Sequence, residues 1–217
     1  PEDAGFTDLD TLLQTADIIS LHVPLTRQGP HPTYHLFDAR RLAAMRPGSM
    51  LINTSRGAVV DNPALLASLK SQHLRGAILD VWEGEPRPDP ALLAAVTLGT
   101  PHIAGYSQLG KLRATAQLYQ ALCAFLEQPP QWRLPPLPVQ TLNLSSDTTL
   151  EAVLRAAYDI GADDRRLRTV LTLPEAERGA TFDQLRKTYA FRPEYSAFKV
   201  SVAAPLRNTL LRLGFLC

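Results

Sequence analysis

Three side chains in the first half of the chain have the types and spacing of a proton-transfer site: Arg56, a carboxylate near position 85, and His102. Arg56 stands in NTSRGAVVDN, directly after an apolar run. Flanking Ser55 and Gly57 let the backbone come close to a ligand, and a guanidinium fork matches a carboxylate in two parallel hydrogen bonds. A surface ion pair is the plainer use of such an arginine. Asp80 closes the run GAILD, and VWEGEP then offers both Glu83 and Glu85. Spacing alone does not choose between the two glutamates. His102 lies in TPHIAGYS, where packing, metal binding and proton transfer all compete. His22, His31 and His35 have no short ligand spacing with His102, and no cysteine is near it in sequence, which disfavours a metal. An imidazole titrates in the neutral range and a neighbouring carboxylate holds its ring in place. An arginine, a carboxylate and a histidine on successive strand ends suit hydride transfer. The histidine takes the proton of an alcohol while hydride leaves the same carbon.

The elements needed to position such groups are legible. DIISLHVPL, SMLINTS and RGAILDV read as buried strands, and DLDTLLQT, DARRLAAM, DNPALLASLKSQ and DPALLAAV have helical spacing. Asp61 or Asn62 caps the third helix, with Pro63 in its first turn. Alternation of strand and helix predicts an α/β fold with a parallel sheet covered on both faces. In such sheets ligands gather at the carboxyl ends of the strands, just where Arg56, Glu85 and His102 fall. One long helix is expected from Ser107 to about Gln128, ended by the proline-rich PPQWRLPPLP. Beyond it, VQTLNL and AFKVSV read as strands and LEAVLRAAYDI, FDQLRKTY and PLRNTLLRLGF as helices. This α+β segment has no histidine, so binding or assembly suits it better than chemistry.

Composition narrows the classes further. The 217 residues are 45% hydrophobic and 20% charged, with a formal net charge of +1, so no polyanion partner is implied. No apolar run approaches the length of a membrane span. Two cysteines, Cys123 and Cys217, form no disulfide framework and fit a reduced cytoplasmic setting. The acidic start PEDAGFTDLD lacks a methionine and is not a signal peptide, so the chain reads as the later part of a longer protein. No G-x-G-x-x-G loop opens a helix after a strand, and no acidic residue is placed to grip an adenosine ribose. Alone, this segment is expected to lack turnover, because the phosphates of a dinucleotide would have no cradle.

LHVPLT, LINTSRGAVVDNPALL, LDVWEGEP and TPHIAGYS occur in an order and spacing that resembles the D-isomer-specific 2-hydroxyacid dehydrogenases. HLFDARRL, the GYS…GK.R continuation and the C-terminal extension point to one branch of that family. The resemblance implies the C-terminal part of a Rossmann-type doubly wound parallel sheet followed by a small α+β dimerisation domain. It divides the chain into a partial NAD-binding domain (1–105), a helix returning toward a substrate domain (106–128), a linker (129–138) and a dimerisation domain (139–217). Arg56 would bind the substrate carboxylate, His102 would exchange the proton, and Glu85 rather than Glu83 would pair with His102. Asp80 would contact the nicotinamide amide. Val23, Ser55 and Gly105 would lie against NAD, and Tyr106 would touch a phosphorylated 2-hydroxy acid. A homodimer is implied, with no nucleic acid, membrane or metal partner. In one departure, SQLGKLRAT stands where relatives carry a glutamate before Gly-Lys and a glycine after the arginine; Lys111 and Arg113 remain as candidates to help a phosphate. A family member acting on another acid such as phosphoglycerate, and a non-catalytic NADH-sensing or assembly module, are the competing readings.

Overall fold

The computed structural model describes residues 5–145, 147–190 and 192–217, which form two compact units. The first comprises residues through Ala104 together with Gly161–Thr188; the second comprises Gly105–Ile160 and Tyr189–Cys217.

In the first unit, β1 (Ile18–Leu21), β2 (Met50–Asn53), β3 (Gly76–Leu79) and β4 (Leu98–Gly99) form one parallel sheet in the order β1-β2-β3-β4. The register pairs Ile18 with Met50, Met50 with Gly76 and Ile78 with Leu98, which aligns the carboxyl ends of the strands. Four helices connect or precede the strands: α1 (Leu9–Thr15), α2 (Ala39–Ala44), α3 (Asn62–Lys70) and α4 (Pro90–Ala95). Each begins where an aspartate accepts from an otherwise orphaned amide: Asp8 from Thr11, Asp38 from Arg41, Asp61 from Ala64, and Asp89 from Ala91 and Leu92. Pro63 and Pro90 occupy the first turns of α3 and α4, where no amide is needed. Leu13, Leu42 and Leu65 from the helices close over Leu51, Ala77 and Leu79 of the sheet, all essentially inaccessible.

Division at the proline-rich run does not describe these units. After α5 (Gln108–Phe125) and α6 (Leu150–Ala157), helices α7 (Ile160–Arg168) and α8 (Glu175–Lys187) follow in sequence, yet Leu167, Val170 and Phe182 are buried in the core of the first unit. Side-chain chemistry explains the attachment. The Arg168 guanidinium donates to the carbonyls of Leu93 (2.8 Å) and Val96 (3.0 Å), which the end of α4 leaves without helical partners. Asp164 holds Arg168 at 2.8 Å and accepts from the Gly99 amide at 2.7 Å, so it satisfies a donor of the short strand β4.

The second unit holds α5, capped by Ser107, whose hydroxyl accepts from the Gly110 amide. It also holds α6, α9 (Ala204–Arg212) and the parallel pair β5 (Gln140–Leu142) and β6 (Phe198–Val200). Val153, Phe198, Val200, Leu210 and Phe215 make its core. The proline-rich run lies within this unit. Among the described residues, no helix is long and apolar enough to cross a membrane, and no cluster of His, Cys, Asp and Glu could hold a metal ion.

Candidate active site

The turns that follow β2, β3 and β4 converge on Trp82. After β2, Asn53 folds the NTSRG turn: its Oδ1 accepts from the Ser55 amide (3.0 Å) and hydroxyl (2.8 Å), and its Nδ2 donates to the Arg56 carbonyl (3.0 Å). Arg56 is exposed in extended backbone, with Nη1 donating to the Ser55 carbonyl at 2.6 Å. With His22, Val23, Pro24, Leu25, Thr54 and Ser55 it lines a cavity of about 490 Å³. Gly57 packs directly on the next turn, since a Cβ there would lie 2.1 Å from the carbonyl carbon and oxygen of Trp82. Only glycine permits that approach. On its other side the Trp82 ring covers Gly99, and Nε1 donates to the Thr100 carbonyl at 3.0 Å. Trp82 thus touches both neighbouring turns, through its carbonyl at Gly57 and through its buried indole at Gly99 and Thr100.

Glu85 lies within this frame. Its Oε1 accepts from the Trp82 amide at 2.8 Å and its Oε2 meets His102 Nδ1 at 2.8 Å. An ionised carboxylate only accepts, so the ring proton sits on Nδ1 and the Nε2 lone pair is left for a substrate proton. The side chains of His102 and Glu85 are 28% and 21% exposed, so the imidazole is held and still reachable.

Asp80 organises the turn that carries His102. Its carbonyl accepts from the His102 amide at 2.7 Å, although His102 has a left-handed φ of 56°. Its Oδ1 accepts from the Thr100 hydroxyl (2.6 Å) and the Ile103 amide (2.7 Å), and its Oδ2 from the Ala104 amide (3.0 Å). This buried carboxylate pins the backbone on both sides of His102, and Oδ2 keeps acceptor capacity. Glu83 serves elsewhere, meeting His35 Nε2 at 2.7 Å and accepting from the Asn62 amide at 3.4 Å. The glutamates that spacing could not separate therefore face different histidines.

Val23, Ser55, Arg56, Asp80, Glu85 and His102 all belong to the first unit, whereas Gly105 and Tyr106 belong to the second. Tyr106 packs edge-to-face on Tyr189 at 6.1 Å, and the Lys111 ammonium lies 4.6 Å above its ring. Sequence reasoning did not single out Asn53 or Trp82. Both carry a signal, a polar residue closing a buried strand and a tryptophan between two carboxylates, but neither type reports by itself what it will hold.

Residues 1–104 match the family described as D-isomer specific 2-hydroxyacid dehydrogenase, NAD binding domain. This first unit's main segment belongs to that family. Residues 133–214 match a domain of unknown function, DUF3410. Erythronate-4-phosphate dehydrogenase of Pseudomonas aeruginosa PAO1 is 47% identical over 98% of this chain and 58% of its own length. The enzyme of the same name from Azotobacter vinelandii is 45% identical over 97% of this chain and, again, 58% of its own. The chain therefore spans a little over half the length of these dehydrogenases. A D-lactate dehydrogenase from Aquifex aeolicus, solved with NAD and lactic acid, aligns over 56% of this chain and 40% of its own at 33% identity, with a TM-score of 0.45.

Proposed function

We propose that these residues carry the acid–base centre of an NAD-dependent dehydrogenase that oxidises 4-phospho-D-erythronate to (R)-3-hydroxy-2-oxo-4-phosphooxybutanoate, a step of pyridoxine biosynthesis. The His102–Glu85 contact of 2.8 Å, on a turn packed against the turn that carries Arg56, carries the reading. It is supported by relatives named erythronate-4-phosphate dehydrogenase at 47% identity over 98% of the chain.

His102 Nε2 takes the proton of the 2-hydroxyl as the carbon loses hydride. Glu85 stabilises the imidazolium that results and keeps the ring from turning. Arg56 binds the C1 carboxylate through its guanidinium fork, which fixes the face presented to the cofactor. The cofactor, when bound, supplies the hydride acceptor. Val23 and Ser55, which with Arg56 line the cavity between the turns after β1 and β2, would hold its nicotinamide end. Asp80 would accept from the carboxamide through the free capacity of Oδ2. The roles of Gly105 against the cofactor and Tyr106 against the substrate rest on the family resemblance. We place the protein in the cytoplasm as a homodimer, assembled through its C-terminal segment.

The test is steady-state NADH formation by the whole protein with 4-phosphoerythronate. His102→Ala lowers kcat by about 10²–10⁴-fold, the range of general acid–base catalysis. Glu85→Gln costs less, since the ring stays in place and only the adjacent charge is lost. Unchanged turnover in His102→Ala or Arg56→Ala would remove the assigned roles.

A further inference from the structure

The largest cavity among those described in the second unit, about 550 Å³, is lined by Ser107, Arg113, Tyr158, Arg192 and Glu194, with Tyr195 and Leu213. The chemistry above uses none of these side chains. Two guanidinium groups face one carboxylate there, so the lining carries a net positive charge. The Glu194 Oε1 is engaged by the Ser107 hydroxyl at 2.5 Å. Arg192 lies with its guanidinium 4.7 Å over the Tyr158 ring, which holds the group flat and at the wall. Arg113 stands exposed on α5 and, among the described residues, has no hydrogen bond or ion pair. A ring-stacked arginine supplies fixed positive charge at the wall, and the unengaged Arg113 fork can meet two oxygens of a tetrahedral dianion.

We infer that this cavity binds a phosphate group. Its volume exceeds that of inorganic phosphate and admits the phosphate ester of a small acid, with Tyr195 and Leu213 against the carbon skeleton. The anion is either free phosphate or the phosphate of an esterified ligand such as the proposed substrate. Only the second source rests on the functional reading given above.

The experiment is an amide chemical-shift titration of the isotope-labelled 217-residue chain at constant ionic strength. Inorganic phosphate, 4-phosphoerythronate and unphosphorylated erythronate are the three probes, and Ser107, Gly110, Glu194 and Gly214 are the reporters. Both phosphates are expected to move these amides and erythronate to leave them in place. Tighter binding of 4-phosphoerythronate than of phosphate assigns the site to the ester; equal affinities assign it to free phosphate. Arg113→Ala, an exposed change that leaves the rest of the spectrum intact, weakens either phosphate roughly 10–100-fold, the effect of a lost hydrogen bond to a charged group. The inference is overturned if phosphate leaves the reporters unmoved, if erythronate moves them as phosphoerythronate does, or if Arg113→Ala binds phosphate like the parent. A whole protein that forms no NADH from 4-phosphoerythronate, beside a chain that still binds phosphate here, would refute the dehydrogenase reading and leave this site standing.

Discussion

Gly57→Ala is the sharpest probe of the frame around Trp82. The added methyl carbon would sit 2.1 Å from the Trp82 carbonyl carbon and oxygen and 2.5 Å from the Glu83 amide nitrogen, where ordinary contact begins at 3.4 Å. All three are backbone atoms, so no side chain can swing away, and the turns after β2 and β3 must part by about 1 Å or more. Gly57 does not have a left-handed φ, so the cost is steric alone. Overpacking against backbone falls at the upper end of the usual range, about 2–3 kcal/mol. For a chain of this size that lowers the first unit's unfolding midpoint by roughly 4–12 °C. A displacement of about 1 Å between Arg56 and the Glu85 turn also costs on the order of 10²-fold in turnover. Differential scanning calorimetry with two companion variants isolates the cause. Gly48→Ala has open space but a φ of +78°, so it should lose about 1–2 kcal/mol through backbone strain. Gly105→Ala has neither problem and should stay within about 0.5 kcal/mol of the parent. A Gly57→Ala protein that melts with the parent would refute the account of Trp82 as the spacer of these turns.

Asp80→Asn replaces an acceptor with an NH₂ group facing amide donors, so the His102 turn should loosen. A loss of about 1–3 kcal/mol in urea unfolding and faster hydrogen exchange at Ile103 and Ala104 are expected, and unchanged exchange would argue against the clamp. Arg168→Ala strips two carbonyls at the end of α4 of their donors and should destabilise the first unit by about 1.5–3 kcal/mol, read as a shift in its denaturation midpoint. Asp8 is held below the ordinary carboxylate range, chiefly by the Thr11 hydroxyl and next by the Thr11 amide. Its folded value lies below its unfolded one, so its support of α1 is present above the unfolded value and fades as pH falls through the folded value. The Thr11 amide shift should follow that titration in the parent and lose it in Asp8→Ala.

Much of the candidate site was legible because Arg56, Glu85 and His102 follow apolar runs, and strand ends are where parallel sheets expose polar turns. The first three strands and first four helices follow from spacing and from aspartate caps that reveal their role by position. Strand β4 was not legible, since Leu98–Gly99 is too short for alternation to show. Nor could local pattern place α7 and α8. FDQLRKTY covers only the end of α8 and no reading marked α7, and Leu167 and Phe182 look alike whether they pack on a neighbouring helix or on a sheet far back in the chain. Trp82 escaped for a related reason: its work is to touch Gly57 and Gly99 at once, and a contact made through glycine leaves no periodicity to detect.

The Asp164–Arg168 clamp sets an order of events during synthesis. The last of the four described strands of the first unit ends at Gly99, yet that strand and the end of α4 keep unanswered backbone groups until residues 161–188 arrive. The whole of Gly105–Ile160 must leave the ribosome in between. The nascent sheet therefore waits with an open edge, the condition under which strands find wrong partners. Closing that long loop is a slow, non-local step. A chain shortened at the proline-rich run would lose more than an appended domain, because it would leave the nucleotide-binding sheet permanently at that unfinished stage.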